Sequence, residues 1–209
     1  MRFVLIWLML AVPVRAEGEK AGTCDYYVLS RSWSPNWCAY EGDAQGSEQC
    51  DARRDDGWIM HGLWPQYLRG FPTFCRTVER PPPRGMTAEI ADITGTSGLA
   101  WYQWKKHGVC TGLSASACFA LSREAYGRVV RPAVFRKLDK TVRLPAAVVQ
   151  EAFLQANPGM EADGITITCR DGYIQEARIR LSRDLDPVTC GRHVVRDCTA
   201  RDALFTPIR

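Results

Sequence analysis

The chain reads as one α+β domain, with a mainly antiparallel central sheet flanked by helices and stapled by disulfides. Three observations predict it. Aromatic-rich or alternating apolar and polar stretches stand near the start and again toward the end of the chain, the pattern of half-buried strands. Segments with helical periodicity and helix-stop signals lie between them, an order that suits α+β. Nine cysteines all fall after residue 16 and include no Cys-x-x-Cys pair. In an exported chain that composition implies a disulfide framework with one cysteine left over, and it disfavours a zinc ribbon or thioredoxin-like site.

Taken in order, Met1 and Arg2 begin the chain with positive charge, residues 3–12 are a continuous apolar run, and Val14-Arg15-Ala16 offers a cleavage site. The run is too short to span a bilayer, and no other long apolar segment exists. Residues 1–16 are therefore expected to be a signal peptide and residues 17–209 a single domain. The mature product is expected in a periplasm or outside the cell, monomeric and without a membrane attachment. Loss of Arg2 and Arg15 lowers the formal charge from +4 to +2. A mildly basic protein without a Lys/Arg-rich block is unsuited to coating duplex nucleic acid, although local attraction of phosphate remains open to it.

Residues 23–33, with Tyr26-Tyr27-Val28-Leu29, read as the first strand, ended by Ser34-Pro35-Asn36. Residues 39–57 are a polar loop clipped by cysteines. Residues 58–61 read as a second strand, stopped by Gly62 and Pro65. Residues 76–85, with Pro81-Pro82-Pro83, form a stiff surface loop, and residues 86–93 turn helical before a loosening at residues 95–98. Residues 114–130 form an amphipathic helix stopped by Pro132, and residues 145–156 another, with proline suited to its first turn. Residues 165–169 alternate, Arg170-Asp171-Gly172 turns, and Ala177, Ile179 and Leu181 alternate again, which is a hairpin signal.

Two stretches carry the chemistry. In Trp58-Ile59-Met60-His61-Gly62-Leu63-Trp64-Pro65-Gln66 a histidine stands at a strand exit beside an indole. In Trp101-Tyr102-Gln103-Trp104-Lys105-Lys106-His107-Gly108-Val109-Cys110 a helix puts Gln103, Lys106 and His107 on one face, spaced i, i+3 and i+4, while Trp101 and Trp104 point elsewhere to anchor it. The plainer readings are a buried structural histidine in the first stretch and a solvated basic face in the second. Together, however, the Trp-x-x-His-Gly-Leu-Trp-Pro strand and the Trp-x-Lys-His-Gly-x-Cys helix resemble the signature segments of the ribonuclease T2 family, in the right order.

The resemblance implies a ribonuclease T2-like fold and a metal-independent, cofactor-free endoribonuclease acting on single-stranded RNA. Cleavage would yield a 2′,3′-cyclic phosphate and then a 3′-phosphate. By the same resemblance His107 is the general base, His61 the general acid, and Lys106 stabilises charge at phosphorus. The residue types suit those tasks, since two imidazoles can hold opposite protonation states at mild pH and an ammonium is a compact cation. The sequence's own residues do not separate the two histidine roles. The resemblance also implies Cys75–Cys110, Cys38–Cys50, and Cys169 joined to Cys190 or Cys198; Cys24 and Cys118 stay unassigned.

Many family members have His-Glu where this chain has Tyr102-Gln103. Gln103 can exchange hydrogen bonds but carries no charge and moves no proton. Trp64 is the candidate for stacking a base, with packing under the next loop as the plainer role; Tyr67, Phe71 and Phe74 extend that platform, and Tyr102 can meet phosphate if its hydroxyl faces the cleft. His193, near two cysteines, reads as structural or surface. The rival readings are a catalytically weak homologue that holds RNA or a protein partner, which Gln103 favours, and a metalloenzyme built on His61 and His107, whose ligand set is thin.

Overall fold

The computed structural model describes residues 19–189 and 197–209. The segment read as a signal peptide, Cys190 and His193 lie outside the described residues.

The strands are β1 (Tyr26–Trp33), β2 (Trp58–Gln66), β3 (Val142–Leu144), β4 (Ile165–Arg170), β5 (Tyr173–Leu181) and β6 (Ala203–Phe205). They form one sheet in the order β2–β1–β5–β6–β3, with β4 also paired to β5. Every ladder is antiparallel except the short β5–β6 contact. The helices are α1 (Ser34–Trp37), α2 (Arg84–Glu89), α3 (Ala91–Thr94), α4 (Ser97–Lys106), α5 (Ala115–Arg128) and α6 (Ala146–Ala156). This is the α+β architecture with a mainly antiparallel sheet that the sequence led us to expect.

Alternation along the strands divides the sheet into two faces. Tyr27, Leu29 and Trp33 of β1, Ile165 and Ile167 of β4, and Ala177, Ile179 and Leu181 of β5 are buried in the main core with Tyr126 of α5 and Phe153 of α6. Trp33, Trp58, Phe153 and Phe205 form its aromatic centre, with ring centroids 4.6 Å apart for Trp33–Phe205 and 5.1 Å for Trp58–Phe153. Arg31 is the one charged residue inserted on this face among the strand residues named, and it closes the end of α5 by donating to the carbonyls of Tyr126 and Val129. The opposite face is polar. Ser30, Arg178 and Thr166 are cross-strand partners in one row, and Ser32, Glu176 and Thr168 in the next.

Three sequence expectations need correction. Gly62 and Pro65 do not end the second strand, since β2 runs on to Gln66 and Pro65 pairs with Tyr27. β2 is at the sheet edge, where a proline's missing N–H removes no necessary ladder bond. The helix expected over residues 86–93 is two short helices, broken at Ile90 and closed by Gly95 at φ +85°. A side chain at Gly95 would also meet Gln49, its Cβ lying 2.6 Å from Oε1. Finally, Trp101 does not anchor α4. The buried stripe runs through Ala100 and Trp104, and Trp101 is turned outward with Lys105 Nζ 5.3 Å above its ring.

Among the described residues three disulfides are formed. Cys38–Cys50 clips the polar loop after α1, Cys75–Cys110 joins the loop after β2 to the turn after α4, and Cys169–Cys198 ties β4 to the C-terminal segment. The last resolves the alternative left open at Cys169. Cys24 and Cys118 are free thiols in the interior.

Candidate active site

The site begins with a defect in a ladder. Ser30 pairs with Gly62 and Arg31 with Met60, so His61 is the unpaired extra residue of a β-bulge. A bulge bends its strand and re-aims the side chain it carries, here onto the polar face of the sheet. The next residue must be glycine for reasons of space. A Cβ at Gly62 would lie 2.7 Å from Gln103 Oε1 and hard against Trp64 Nε1, where the indole N–H donates to that same oxygen at 2.8 Å. The motif therefore builds a clasp between β2 and α4.

α4 supplies the other half. Thr96 caps its start by accepting from the Leu99 N–H. His107 stands just past its end, and its N–H still donates to the Gln103 carbonyl at 2.9 Å, so Gln103, Lys106 and His107 keep one helical face. Cys75–Cys110 and the bond from Phe74 N–H to the Lys106 carbonyl tether this end of the helix. Trp64 lies between the two histidines, with ring centroids 5.4 Å from His61 and 5.3 Å from His107. The two rings thus meet in one cleft of about 790 Å³, with Lys106, Gln103 and Tyr102 on its wall. A second hollow of about 420 Å³ adjoins it through His61, Glu41 and Arg170.

The two imidazoles have opposite surroundings. His107 is only 6% exposed, and burial, aided by the charges of Lys106 and His61, pushes its pKa down to about 4. It is neutral at mild pH. His61 is about a third exposed, and its Nδ1 is hydrogen-bonded to the Glu176 carboxylate. Glu176 is 1% exposed, and its other oxygen accepts from Arg178 Nε at 2.8 Å. Burial opposes its ionisation, but His61 and Arg178 overcome that and bring its pKa down to about 2. Lys106 has no carboxylate partner among the described residues, so its charge is available to the cleft.

The stacking candidates divide. Tyr102 and Phe71 are exposed and line the cleft. Trp64 is half-buried, with its N–H engaged by Gln103 and the Arg178 guanidinium 5.3 Å from its ring. Tyr67 and Phe74 do not line the cleft. Tyr67 turns at the end of β2 with its hydroxyl against Thr23, and Phe74 takes a left-handed backbone, φ +51°, that directs it outward.

Sequence reasoning missed Glu176, Arg178 and Arg180. The signal was present, because these are the polar half of the alternation whose apolar half, Ala177, Ile179 and Leu181, marked the strand. What the pattern lacked was the position of β5 beside β1, which brings Glu176 to His61 and Arg178 and Arg180 to the cleft.

In sequence and in fold the chain is similar to known proteins. The sequence model of the ribonuclease T2 family matches residues 24–144. A ribonuclease of Aeromonas hydrophila is 33% identical over 225 aligned positions, covering 100% of this chain and 99% of that one. A probable ribonuclease of Haemophilus influenzae is 33% identical over 120 positions, covering 52% of this chain and 44% of its own. Among solved structures, an RNase-related protein from Calystegia sepium superposes with a TM-score of 0.65 at 14% identity, covering 91% of this chain and 98% of that one. An RNase MC1 variant in complex with 5′-UMP does so at 0.63 and 17%, covering 88% and 98%. The superpositions bear on the fold alone; with the family match and the full-length relative, they lead to one conclusion: this chain belongs to the ribonuclease T2 family.

Proposed function

We propose that the protein is a metal-independent endoribonuclease that cleaves single-stranded RNA by transphosphorylation. His107, kept neutral by burial, takes the proton from a ribose 2′-hydroxyl. The 2′-oxygen attacks the adjacent phosphorus, and the bond to the 5′-oxygen of the next nucleotide breaks. His61 delivers a proton to that departing oxygen, leaving a 2′,3′-cyclic phosphate. Water then opens the ring to a 3′-phosphate with the two histidines in exchanged roles. Lys106, on the wall of the same cleft, stabilises the extra negative charge that develops at phosphorus, a task suited to a preformed cation.

The observation that carries this reading is the asymmetry of the pair. One imidazole is buried beside a cation, which favours a neutral base, while the other is more exposed and hydrogen-bonded through Nδ1 to a carboxylate, which leaves its Nε2 for the departing oxygen. Family membership supports it, and the RNase MC1 variant that shares the fold was solved with a nucleotide, 5′-UMP. Tyr102 and Phe71 offer aromatic faces to unstacked bases. The disulfides suit a secreted or periplasmic protein. A second reading, a weakly catalytic homologue that holds RNA, is favoured by one residue, Gln103, which carries no charge where many relatives have glutamate.

The test uses purified mature protein with single-stranded and duplex RNA and excess chelator, from mild acid to neutral pH. Cleavage of the single strand that persists in chelator and leaves 2′,3′-cyclic ends is expected. Binding without cleavage at every pH would establish the second reading, and chelator-sensitive cleavage would show a metal requirement.

A further inference from the structure

Charged and titratable groups line the hollows that His61 shares: Glu176, Arg178 and Arg180 from β5, Lys106 and His107 from the end of α4, and Glu41 and Arg170 where the two hollows meet. Among the described residues only Glu176 is bonded to the ring. A carboxylate accepts and does not donate, so the contact requires the proton on Nδ1 and leaves Nε2 for the substrate. The carboxylate is itself fixed. It lies on the floor of the sheet between Ser32 and Thr168, its strand partners, and is 1% exposed. Arg178 grips its second oxygen through two contacts, Nε at 2.8 Å and a terminal nitrogen at 2.7 Å. Both donors meet the same oxygen, which anchors that side of the carboxylate and leaves the other oxygen to His61.

We propose that Glu176 is a positioning residue for the reaction: it orients His61 through Nδ1 so that Nε2 faces the departing 5′-oxygen, and it holds Arg178 as a second cation on the cleft floor. The assignment rests on the endoribonuclease reading above. In the first step the charged ring has a proton on each nitrogen, and only the one on Nε2 can leave, because Nδ1–H is held by Glu176. The ring that remains is neutral with its proton on Nδ1, and its bare Nε2 is ready to accept a proton from water in the second step. One buried carboxylate thus sets the direction of both transfers. Arg178 meets the Trp64 ring as well, so the same contact joins the cation to the clasp between β2 and α4.

The experiment compares wild type with Glu176→Gln and Glu176→Asp, by kcat and KM against pH on a short single-stranded RNA and by ¹⁵N spectra of the histidine rings. Glu176→Gln keeps the shape and loses the charge. Its kcat is expected to fall about 10- to 100-fold, less than on loss of a proton-transfer group itself, with KM unchanged. The alkaline limb of its profile should move toward acid, because the ring loses its anionic partner. Glu176→Asp should return the limb toward wild type, since charge is restored. In wild type the neutral His61 ring should carry its proton on Nδ1. Superimposable profiles and ring spectra for wild type and Glu176→Gln would overturn the assignment, as would a wild-type ring protonated on Nε2. If the wild-type protein cleaves no RNA, the functional reading fails while the ring spectrum still decides the positioning role. The wild-type spectrum also decides it should the variants not fold.

Discussion

Replacing Gln103 by glutamate places a carboxylate one helical turn before His107. Residues four apart on a helix have Cβ atoms about 5–6 Å apart. At about 6 Å and an effective dielectric near 20, a full negative charge stabilises the imidazolium by about 3 kcal/mol, or about two pH units. His107 starts from about 4, held down by burial and then by Lys106 and His61, so the new charge acts directly against those causes. In Gln103→Glu the acid limb of kcat/KM should therefore move toward neutrality by about two pH units. The clasp survives, because a carboxylate oxygen accepts from Trp64 Nε1 as the amide oxygen does at 2.8 Å. The added charge also repels phosphate, so KM should rise. The assay is kcat/KM for both proteins over mild acid to neutral pH on one short RNA. Movement of the alkaline limb instead would mean that His107 enters the reaction charged, reversing its role. Superimposable profiles would mean that residue 103 does not act on His107 at all.

Other consequences are open to measurement. His61→Ala and His107→Ala should each lower kcat by about 10²–10⁴ while circular dichroism stays native; near-wild-type turnover in either would remove that histidine from the mechanism. In Gly62→Ala the new methyl must displace Gln103 or Trp64, and crowding of this kind costs about 1–3 kcal/mol in urea unfolding. A variant as stable and active as wild type would show that the clasp has no role. Acid should weaken the fold through His107 and Glu176. The folded pKa of His107, about 4, is below its ordinary 6.5, so the unfolded chain binds more protons between those values and stability is lost as pH falls from 6.5 through 4, by about 3 kcal/mol. Glu176, at about 2 against 4.5, adds a loss that starts below pH 4.5 and continues to about 2. Urea titrations at pH 7 and pH 4 should show this loss in wild type and a smaller one in His107→Asn; equal losses would refute the buried neutral imidazole.

By itself the sequence determined most of the local elements and the two segments that meet at the cleft. Period-two runs at residues 165–169 and at Ala177, Ile179 and Leu181 marked the hairpin, because one face of each strand must be apolar to be buried. The spacing of Gln103, Lys106 and His107 marked one helical face, because the turn of a helix depends on local backbone geometry alone. His61 stood out through the resemblance of its segment to a family signature, and the structure gives the glycine and tryptophan beside it a place in the clasp. Where local rules compete with neighbours, they failed. Pro65 continues a strand because β2 is an edge, and Trp101 faces outward because the core selected Ala100 and Trp104.

Only the tertiary structure decided which histidine differs from which, and how. Burial and the nearby cations depress His107, while His61 meets a carboxylate 115 residues away in the chain. That partner is set by strand order. β5 lies against β1, β1 lies against β2, and a one-residue bulge at His61 turns its ring toward Glu176. Pairing energies between strands depend on the whole sheet being assembled, and protonation depends on the water that assembly excludes. Neither quantity belongs to a residue or its sequence neighbours, so the two imidazoles become distinct only once the chain has folded.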